Sequence, residues 1–153
     1  MPHLLFAAPA PDMTAVVTRI GGVPLAPRGT SWPNCKSCKG AMQFLAQIRL
    51  REIDATLPDR LVLLFMCQNK PGMCDDFAPT SGGNAVIQVP VTGLDPMSPP
   101  GKGNTKLDQV EGVTLEAFDA PGDIADAFES AREKATGKVL GLASAAPAWL
   151  QGD

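Results

Sequence analysis

Four cysteines have the number and spacing of a metal site, and they are the only cysteines in the chain of 153 residues. Cys35 and Cys38 form a C-x2-C pair, in which two intervening residues let both sulfurs reach one tetrahedral ion from a tight turn. Cys67 and Cys74 are more widely spaced, but the Pro71-Gly72 turn between them can fold Cys74 back toward the end of the strand that carries Cys67. The pattern predicts one structural Zn2+ ion, since four thiolates complete a tetrahedral shell and leave no position for a substrate.

Other interpretations of the cysteines stay open at this point. Free cysteines are often simply small core residues, and two structural disulfides would fit a secreted chain rather than a cytoplasmic one. Thiol redox chemistry, as in an oxidoreductase or a redox sensor, would use Cys35 and Cys38. That chemistry favours a strand before the pair and a helix after it, whereas this pair follows a Pro-rich loop and precedes Gly40, which weakens a helix start. The redox function is the alternative to the zinc site.

Residues suited to other catalysis are sparse. The chain has one histidine, His3, and no tyrosine. A Ser–His or Cys–His pair would therefore depend on a base close to the N-terminus, and adjacent carboxylates such as Asp75 and Asp76 are usually solvated in a turn. This composition predicts a protein without enzymatic activity.

Composition and charge limit the partners. The apolar fraction of 44% and the charged fraction of 19% are those of an ordinary globular domain. A net charge of −3 is unfavourable for nucleic-acid binding, which needs a cationic face. No apolar run reaches the ~20 residues of a membrane span, and residues 1–10 lack the basic start of a signal peptide. We expect a cytoplasmic protein whose partner is another protein, with no nucleic acid and no membrane involved.

A β-rich framework must position the cysteines. The 15 Gly and 15 Pro cut the chain into short pieces. We predict an α+β fold with mostly antiparallel strands and one helix near residues 123–136, for which Asp123 is the N-cap and Gly137 the stop. Leu45 interrupts the alternation of one strand, and Pro90 predicts an edge position for another. The predicted strands are 15–20, 42–50, 60–67, 84–91 and 113–118.

The domain organisation is predicted as an N-terminal arm, residues 1–14, followed by a single zinc-binding domain, residues 15–153. Residues 94–109 are rich in Pro and Gly and are expected to form a long surface loop. A weak internal echo relates residues 19–22 (RIGG) to residues 138–141 (KVLG), each followed by Pro-containing sequence and a tryptophan. If the echo marks a second copy, that copy starts just before the end of the sequence, and the sequence is truncated.

Several segments together resemble the bacterial YwqG-like family, a domain of unknown function. They are RIGGVP at 19–24, WPNCKSC at 32–38, MQFLAQI at 42–48, LLFMCQ at 63–68 with PGMC at 71–74, and SGGNA at 81–85. The order of C-x-x-C, then F-L-x-Q, then an apolar strand ending in Cys, is also similar to the programmed cell death protein 2 family of eukaryotes.

The resemblance implies a β-rich α+β fold and, for the variant that carries cysteines, zinc, but no catalytic mechanism. The eukaryotic relatives escort a ribosomal protein during ribosome assembly, which implies a protein-binding or chaperone-like role. A bacterial immunity protein against a toxin is one specific version of that role. Family members often continue beyond residues 149–153 (WLQGD), which implies a truncated C-terminus. The residues expected in an interaction or ligand-binding turn are Gly21, Gly22, Trp32, Gln47, Ser81, Gly82, Gly83 and Asn84.

Overall fold

The computed structural model of the protein describes residues 1–144. The described residues divide into two units, one formed by Ala10–Glu111 and the other by Met1–Pro9 together with residues 112–144. The strands are β1 (His3–Ala8), β2 (Arg19–Ile20), β3 (Leu25–Pro27), β4 (Gln43–Arg49), β5 (Arg60–Met66), β6 (Asn84–Pro90), β7 (Leu94–Pro96), β8 (Glu111–Ala117) and β9 (Val139–Ala143). The helices are α1 (Leu50–Ile53) and α2 (Ile124–Lys134). The described residues therefore form a β-rich α+β fold, as predicted.

The larger unit is built on an antiparallel sheet with the strand order β6-β5-β4-β2. The central strand β5 buries Leu61, Leu63 and Phe65, while the residues between them are only partly buried. This alternation is typical of a strand whose two faces have different environments. β6 lies at the edge of the sheet. Pro90 has no backbone N–H to donate, and an edge strand tolerates this because it has a hydrogen-bonded neighbour on one side only. The predictions of a strand at 60–67 and of an edge strand at 84–91 are confirmed, and the first of them lies inside the sheet.

A β-bulge explains the interrupted alternation in β4. The pairing of β4 with β5 shifts by one residue between Phe44 and Ala46, so Leu45 is an extra residue without a partner in β5. The Leu45 carbonyl accepts a hydrogen bond from the Gly21 N–H at 2.7 Å. Because of the bulge, Phe44 and Gln47 are both buried although they lie three positions apart.

Strand β2 is shorter than predicted. Of the expected strand 15–20, only Arg19–Ile20 pairs with β4. The preceding carbonyls accept hydrogen bonds from side chains instead: Ala15 O from the Arg19 guanidinium at 3.0 Å and Val17 O from Gln47 Nε2 at 2.8 Å. These carbonyls are satisfied without a strand ladder, which is why the regular strand does not extend through them.

The segment expected as a long surface loop, residues 94–109, begins with a strand. β7 pairs antiparallel with β3 in a separate two-stranded sheet. Further along, Thr105 is buried and its carbonyl accepts the Phe44 N–H at 3.0 Å. The loop prediction was wrong for Leu94–Pro96, because pairing with a distant segment, and not a local pattern, makes this strand.

The smaller unit contains a three-stranded antiparallel sheet with β1 between β8 and β9. Leu5 lies opposite Leu115 on one side and opposite Gly141 on the other. The prediction of a loosely held arm was wrong for His3–Ala8, since this apolar segment is paired on both sides. The prolines that follow this segment end the strand, but they do not prevent the segment from pairing with its neighbours.

Helix α2 confirms the predicted helix and its N-cap. The Asp123 carboxylate accepts hydrogen bonds from the N–H groups of Ala125 and Asp126 at 2.8 and 3.3 Å. Phe128 is the buried residue of the helix. The single-turn helix α1 was not predicted. None of the helices in residues 1–144 has the length and apolar character needed to cross a bilayer.

The predicted internal echo and truncation concern segments that the structure describes only in part. Residues 139–141 belong to strand β9. The tryptophan of the second copy, Trp149, and the segment 149–153 lie outside the described residues.

The core of the larger unit includes three of the four cysteines. Phe65 makes ring contacts with both Phe44 and Trp32 at centroid distances of 5.4 Å. The cluster of buried residues is formed by Leu25, Ala26, Cys35, Met42, Phe44, Leu61, Leu63, Phe65, Cys67, Cys74 and Val89. The cysteines therefore continue the hydrophobic core at the end of the sheet where β5 finishes.

Candidate metal centre

The four predicted cysteines converge. The sulfurs of Cys35, Cys38, Cys67 and Cys74 all lie within 4.8 Å of one another, and Cys38 Sγ is 3.6 Å from Cys67 Sγ. A tetrahedral ion with bonds of about 2.3 Å to sulfur separates its ligands by about 3.8 Å. All four cysteines are free thiols. Their number, spacing and chemistry fit one thiophilic metal ion, and the predicted convergence is confirmed.

The first pair sits in a tight turn. Asn34 and Ala41 form an antiparallel bridge, and the Cys35 N–H donates to the Gly40 carbonyl at 2.9 Å. The Lys39 N–H donates a hydrogen bond to the Cys35 carbonyl at 2.9 Å, and Lys39 lies in the left-handed region at φ 62°. This short hairpin aims the two thiols of the C-x2-C pair to the same side.

The second pair is closed by the predicted turn. Cys67 follows the last residue of β5, and the Met73 N–H donates to the Lys70 carbonyl at 3.0 Å. Pro71 and Gly72 occupy the middle of this turn, and Gly72 has φ 77°, which glycine adopts without strain. The turn brings Cys74 back to Cys67, as the sequence predicted.

The segment Ser81–Asn84 braces both cysteine loops. The Cys67 N–H donates to the Gly83 carbonyl at 2.7 Å, and the Lys36 N–H donates to the Gly82 carbonyl at 3.0 Å. Side chains of Ser81 and Asn84 bond to carbonyls of the loop after Cys74, including Ala78 O at 3.1 Å from each. Four of the residues predicted for an interaction turn therefore support the cysteine site directly.

The other predicted interaction residues lie in the framework. Gly21 and Gly22 have φ of 73° and 75°, and a Cβ on Gly21 would lie 2.1 Å from the carbonyl oxygen of Gln109. Trp32 Nε1 donates to the Met42 carbonyl at 2.8 Å. Gln47 is fully buried among backbone partners. A role of these residues in binding a partner or ligand stays a prediction.

Two thiols have shifted pKa values in opposite directions. A hydrogen bond from the Gly40 backbone lowers the pKa of Cys38 to about 7, against the opposing effect of desolvation. Burial raises the pKa of Cys74 to about 12, and the neighbouring thiols of Cys67 and Cys35 add to this shift. Cys38 is also the only one of the four that is partly exposed. In the metal-free chain, Cys38 is thus the thiol most ready to give up its proton.

Asp76 and Asn69 were not predicted as parts of this region. Asp76 is buried, not solvated, and its Oδ1 has no hydrogen-bond partner among residues 1–144. Asn69 places its side-chain amide against two of the sulfurs. No spacing rule points to either residue, because their position depends on how the loop between and after the cysteines folds.

Comparison with known proteins gives a family but no function. The model of a family described as a domain of unknown function, DUF1963, matches residues 18–145. Searches of the curated proteins and of the solved structures found no match. The match agrees with the resemblance to a bacterial domain of unknown function, whereas the zinc-binding variant and the similarity to the programmed cell death protein 2 family stay predictions. The chain belongs to the DUF1963 family.

Proposed function

We propose that the chain is a protein-interaction module without enzymatic activity, stabilised by one structural Zn2+ at its four cysteines. The observation that carries the proposal is the convergence of four thiol sulfurs within 4.8 Å of one another. Four protein ligands complete a tetrahedral zinc shell, so the ion has no open position for water or substrate. A closed site of this kind contributes free energy of folding.

The donor set favours a thiophilic ion such as zinc over Mg2+ and Ca2+. Four thiolates at tetrahedral separation suit zinc or iron, whereas Mg2+ and Ca2+ require oxygen ligands. Among residues 1–144, no other group of three or more His, Cys, Asp or Glu side chains is close enough to hold a metal ion. The proposal therefore concerns one ion per chain.

A protein partner is favoured by the surface beside the metal centre. Met73 and Phe77 flank Cys74 and are 78% and 82% exposed, and Val86 on the edge strand β6 is 64% exposed. Exposed apolar side chains that lie together on one surface are typical of a site that binds another molecule. Since β6 has a free neighbour position in the larger unit, an extended segment of a partner protein is the occupant that fits these features.

Elemental analysis tests the metal. Chain purified without a histidine tag should carry about one equivalent of zinc, and Cys35→Ser should lose it. Less than half an equivalent of any metal, together with four freely titratable thiols, would refute the metal-stabilised module.

Partner capture tests the interaction. Metal-loaded chain and a Phe77→Ser variant serve as paired baits for extracts, and retained proteins are identified and re-tested as purified components. Phe77→Ser should keep its zinc and its unfolding midpoint but bind the purified partner at least tenfold more weakly. Equal binding by both baits would contradict the proposed surface.

Thiol redox chemistry is the second candidate function. It is favoured by three observations on one residue: Cys38 is partly exposed, its pKa is lowered to about 7, and its sulfur lies close to other thiols. With an oxidant such as hydrogen peroxide, which takes up the two electrons and two protons, a redox protein would form a reversible disulfide between Cys38 and Cys35. Four equally slow, metal-protected thiols in alkylation kinetics would rule this function out.

A further inference from the structure

Asn69 lies in the spacer between Cys67 and Cys74, and its side chain contacts two sulfurs. Asn69 Nδ2 is 3.6 Å from Cys67 Sγ and 3.8 Å from Cys38 Sγ, and it donates to the Ala41 carbonyl at 3.0 Å. An amide N–H that faces a thiolate stabilises its negative charge. Such partners around the ligands of a metal orient the ligands and tune the strength of binding.

The other end of the same amide holds a distant segment. Asn69 Oδ1 accepts a hydrogen bond from the Asn104 backbone N–H at 3.0 Å. The Asn104 side chain in turn accepts from Gln43 Nε2 at 2.8 Å, at the start of β4. One side chain therefore connects the cysteine cluster to the segment 103–106 and, through it, to the sheet.

Two glycines leave room for this amide. A Cβ on Gly40 would lie 2.6 Å from Asn69 Nδ2, and a Cβ on Gly103 would lie 2.8 Å from Asn69 Oδ1. Both distances are too short for a side-chain carbon, so a larger residue at either position would displace the amide. The orientation of the amide is also defined, because its nitrogen faces the Ala41 carbonyl and its oxygen faces the Asn104 N–H.

We propose that Asn69 is a positioning residue of the metal centre, which couples metal binding at the four cysteines to the order of the segment 103–106. This inference rests on the proposed metal site. With metal bound, anionic sulfurs strengthen the N–H···S contacts of Asn69 and fix its amide, so that Oδ1 holds the Asn104 N–H. Without metal, no ion holds these sulfurs in place as acceptors, and the segment loses a fixed anchor.

The first test uses Co2+ alone as a spectroscopic probe of the full chain. Loss of an N–H donor raises the energy of the thiolate electrons, so the thiolate-to-cobalt charge-transfer band should shift to longer wavelength in Asn69→Ala. The affinity for Co2+ should fall by about tenfold to a hundredfold, as for other residues that support metal ligands. Asn69→Asp keeps the size of the side chain and the acceptor for Asn104 but removes the donors, and it should shift the band in the same direction.

Gln88→Ala is the control. Gln88 also carries a side-chain amide, but it is exposed on the edge strand β6 and is not part of the cysteine site. The charge-transfer band of this variant should match that of the wild type. An equal shift in Gln88→Ala, or no shift in both Asn69 variants, would overturn the role of Asn69.

The second test measures amide hydrogen exchange at Asn104. In the wild type, removal of Zn2+ should speed exchange of this amide at least tenfold. In Asn69→Ala the exchange should be fast with or without Zn2+, whereas Asn69→Asp should retain part of the protection. Protection of Asn104 that does not depend on metal in the wild type would refute the coupling.

The two proposals fail in different ways. A wild-type chain that takes up neither Co2+ nor Zn2+ would overturn the metal site and this inference together. A chain that binds both ions with spectra and exchange unaffected by the Asn69 variants would overturn only the inference.

Discussion

The amide N–H of Cys67 donates to the carbonyl of Gly83 at 2.7 Å, which joins the end of β5 to the turn before β6. The adjacent glycine, Gly82, accepts from Lys36 inside the first cysteine pair. The two cysteine pairs are thus held in place by one short segment with no metal ligand of its own. The geometry of the cysteine cluster depends on these backbone positions as much as on the cysteines.

Replacing Gly83 by alanine should disrupt the site. The added Cβ would lie 2.6 Å from the Cys74 carbonyl oxygen and 2.7 Å from the Asp76 Cα, both backbone atoms that cannot rotate away. We expect a loss of about 1–3 kcal/mol in the free energy of unfolding and weaker zinc binding in competition with a chelator. Gly101→Ala, where the Cβ meets nothing within 4 Å, is the control and should behave as the wild type. Equal stability of both variants would contradict the steric argument.

Cys38 should be the most reactive thiol of the metal-free chain. Only the thiolate is alkylated, so the rate at Cys38 should rise as the pH increases through about 7, the pKa that the Gly40 backbone contact sets. Cys74, whose pKa burial raises to about 12, should stay unreactive over the same range. Mass spectrometry of time-resolved iodoacetamide labelling gives both profiles. A midpoint for Cys38 near the ordinary thiol value of 9.0 would show that the lowered pKa is wrong.

The ion pair of Arg49 and Asp59 should make a pH-dependent contribution to stability. Two parallel hydrogen bonds of 3.0 Å join the side chains, and this contact lowers the pKa of Asp59 below 3.8. A lowered pKa in the folded state means that the stabilisation is present above 3.8 and is lost as the pH falls through the folded-state pKa. Asp59→Asn should therefore lower the urea midpoint at neutral pH, and the difference from the wild type should close in acid.

The exposed pair of Arg28 and Asp95 provides the control for that experiment. These groups are 3.6 Å apart at the surface, where ion pairs contribute little. Asp95→Asn should leave the urea midpoint unchanged at every pH. A pH-independent effect of Asp59→Asn would indicate a packing role and not an ionic one.

The core of the larger unit should be sensitive at Leu63. This side chain is fully buried in the central strand β5, and its truncation to alanine should cost about 2–5 kcal/mol. Val86→Ala on the edge strand should change the free energy of unfolding by less than about 0.5 kcal/mol, because Val86 is exposed. Urea unfolding of the zinc-loaded variants measures both. Similar costs at the two positions would mean that the assignment of the buried face is wrong.

The predictable parts of the molecule are those with local signals. The C-x2-C spacing, the Pro71-Gly72 turn and the Asp123 cap each act within a few residues, and each is found where it was expected. The interruption at Leu45 was visible in the sequence, although its physical meaning as a bulge required the register with β5.

The unpredictable parts depend on distant segments. β1 looks like a free arm until its pairing with β8 and β9 is known. β7 exists because β3 lies beside it. Asn69 has no sequence signature, since its contacts with Asn104 and Cys38 span more than thirty residues. Local patterns cannot encode such contacts.

The bulge in β4 also makes this strand tolerant of a change in length. Because Leu45 faces no residue of β5, its deletion would leave the pairs Phe44 with Phe65 and Gln47 with Leu63 opposite each other as before. A deletion inside β5 would instead turn every later side chain of the strand to the other face. It would thereby move Cys67 away from the other three cysteines. We therefore expect deletion of Leu45 to remove the hydrogen bond from the Gly21 N–H but to leave the four thiols in place.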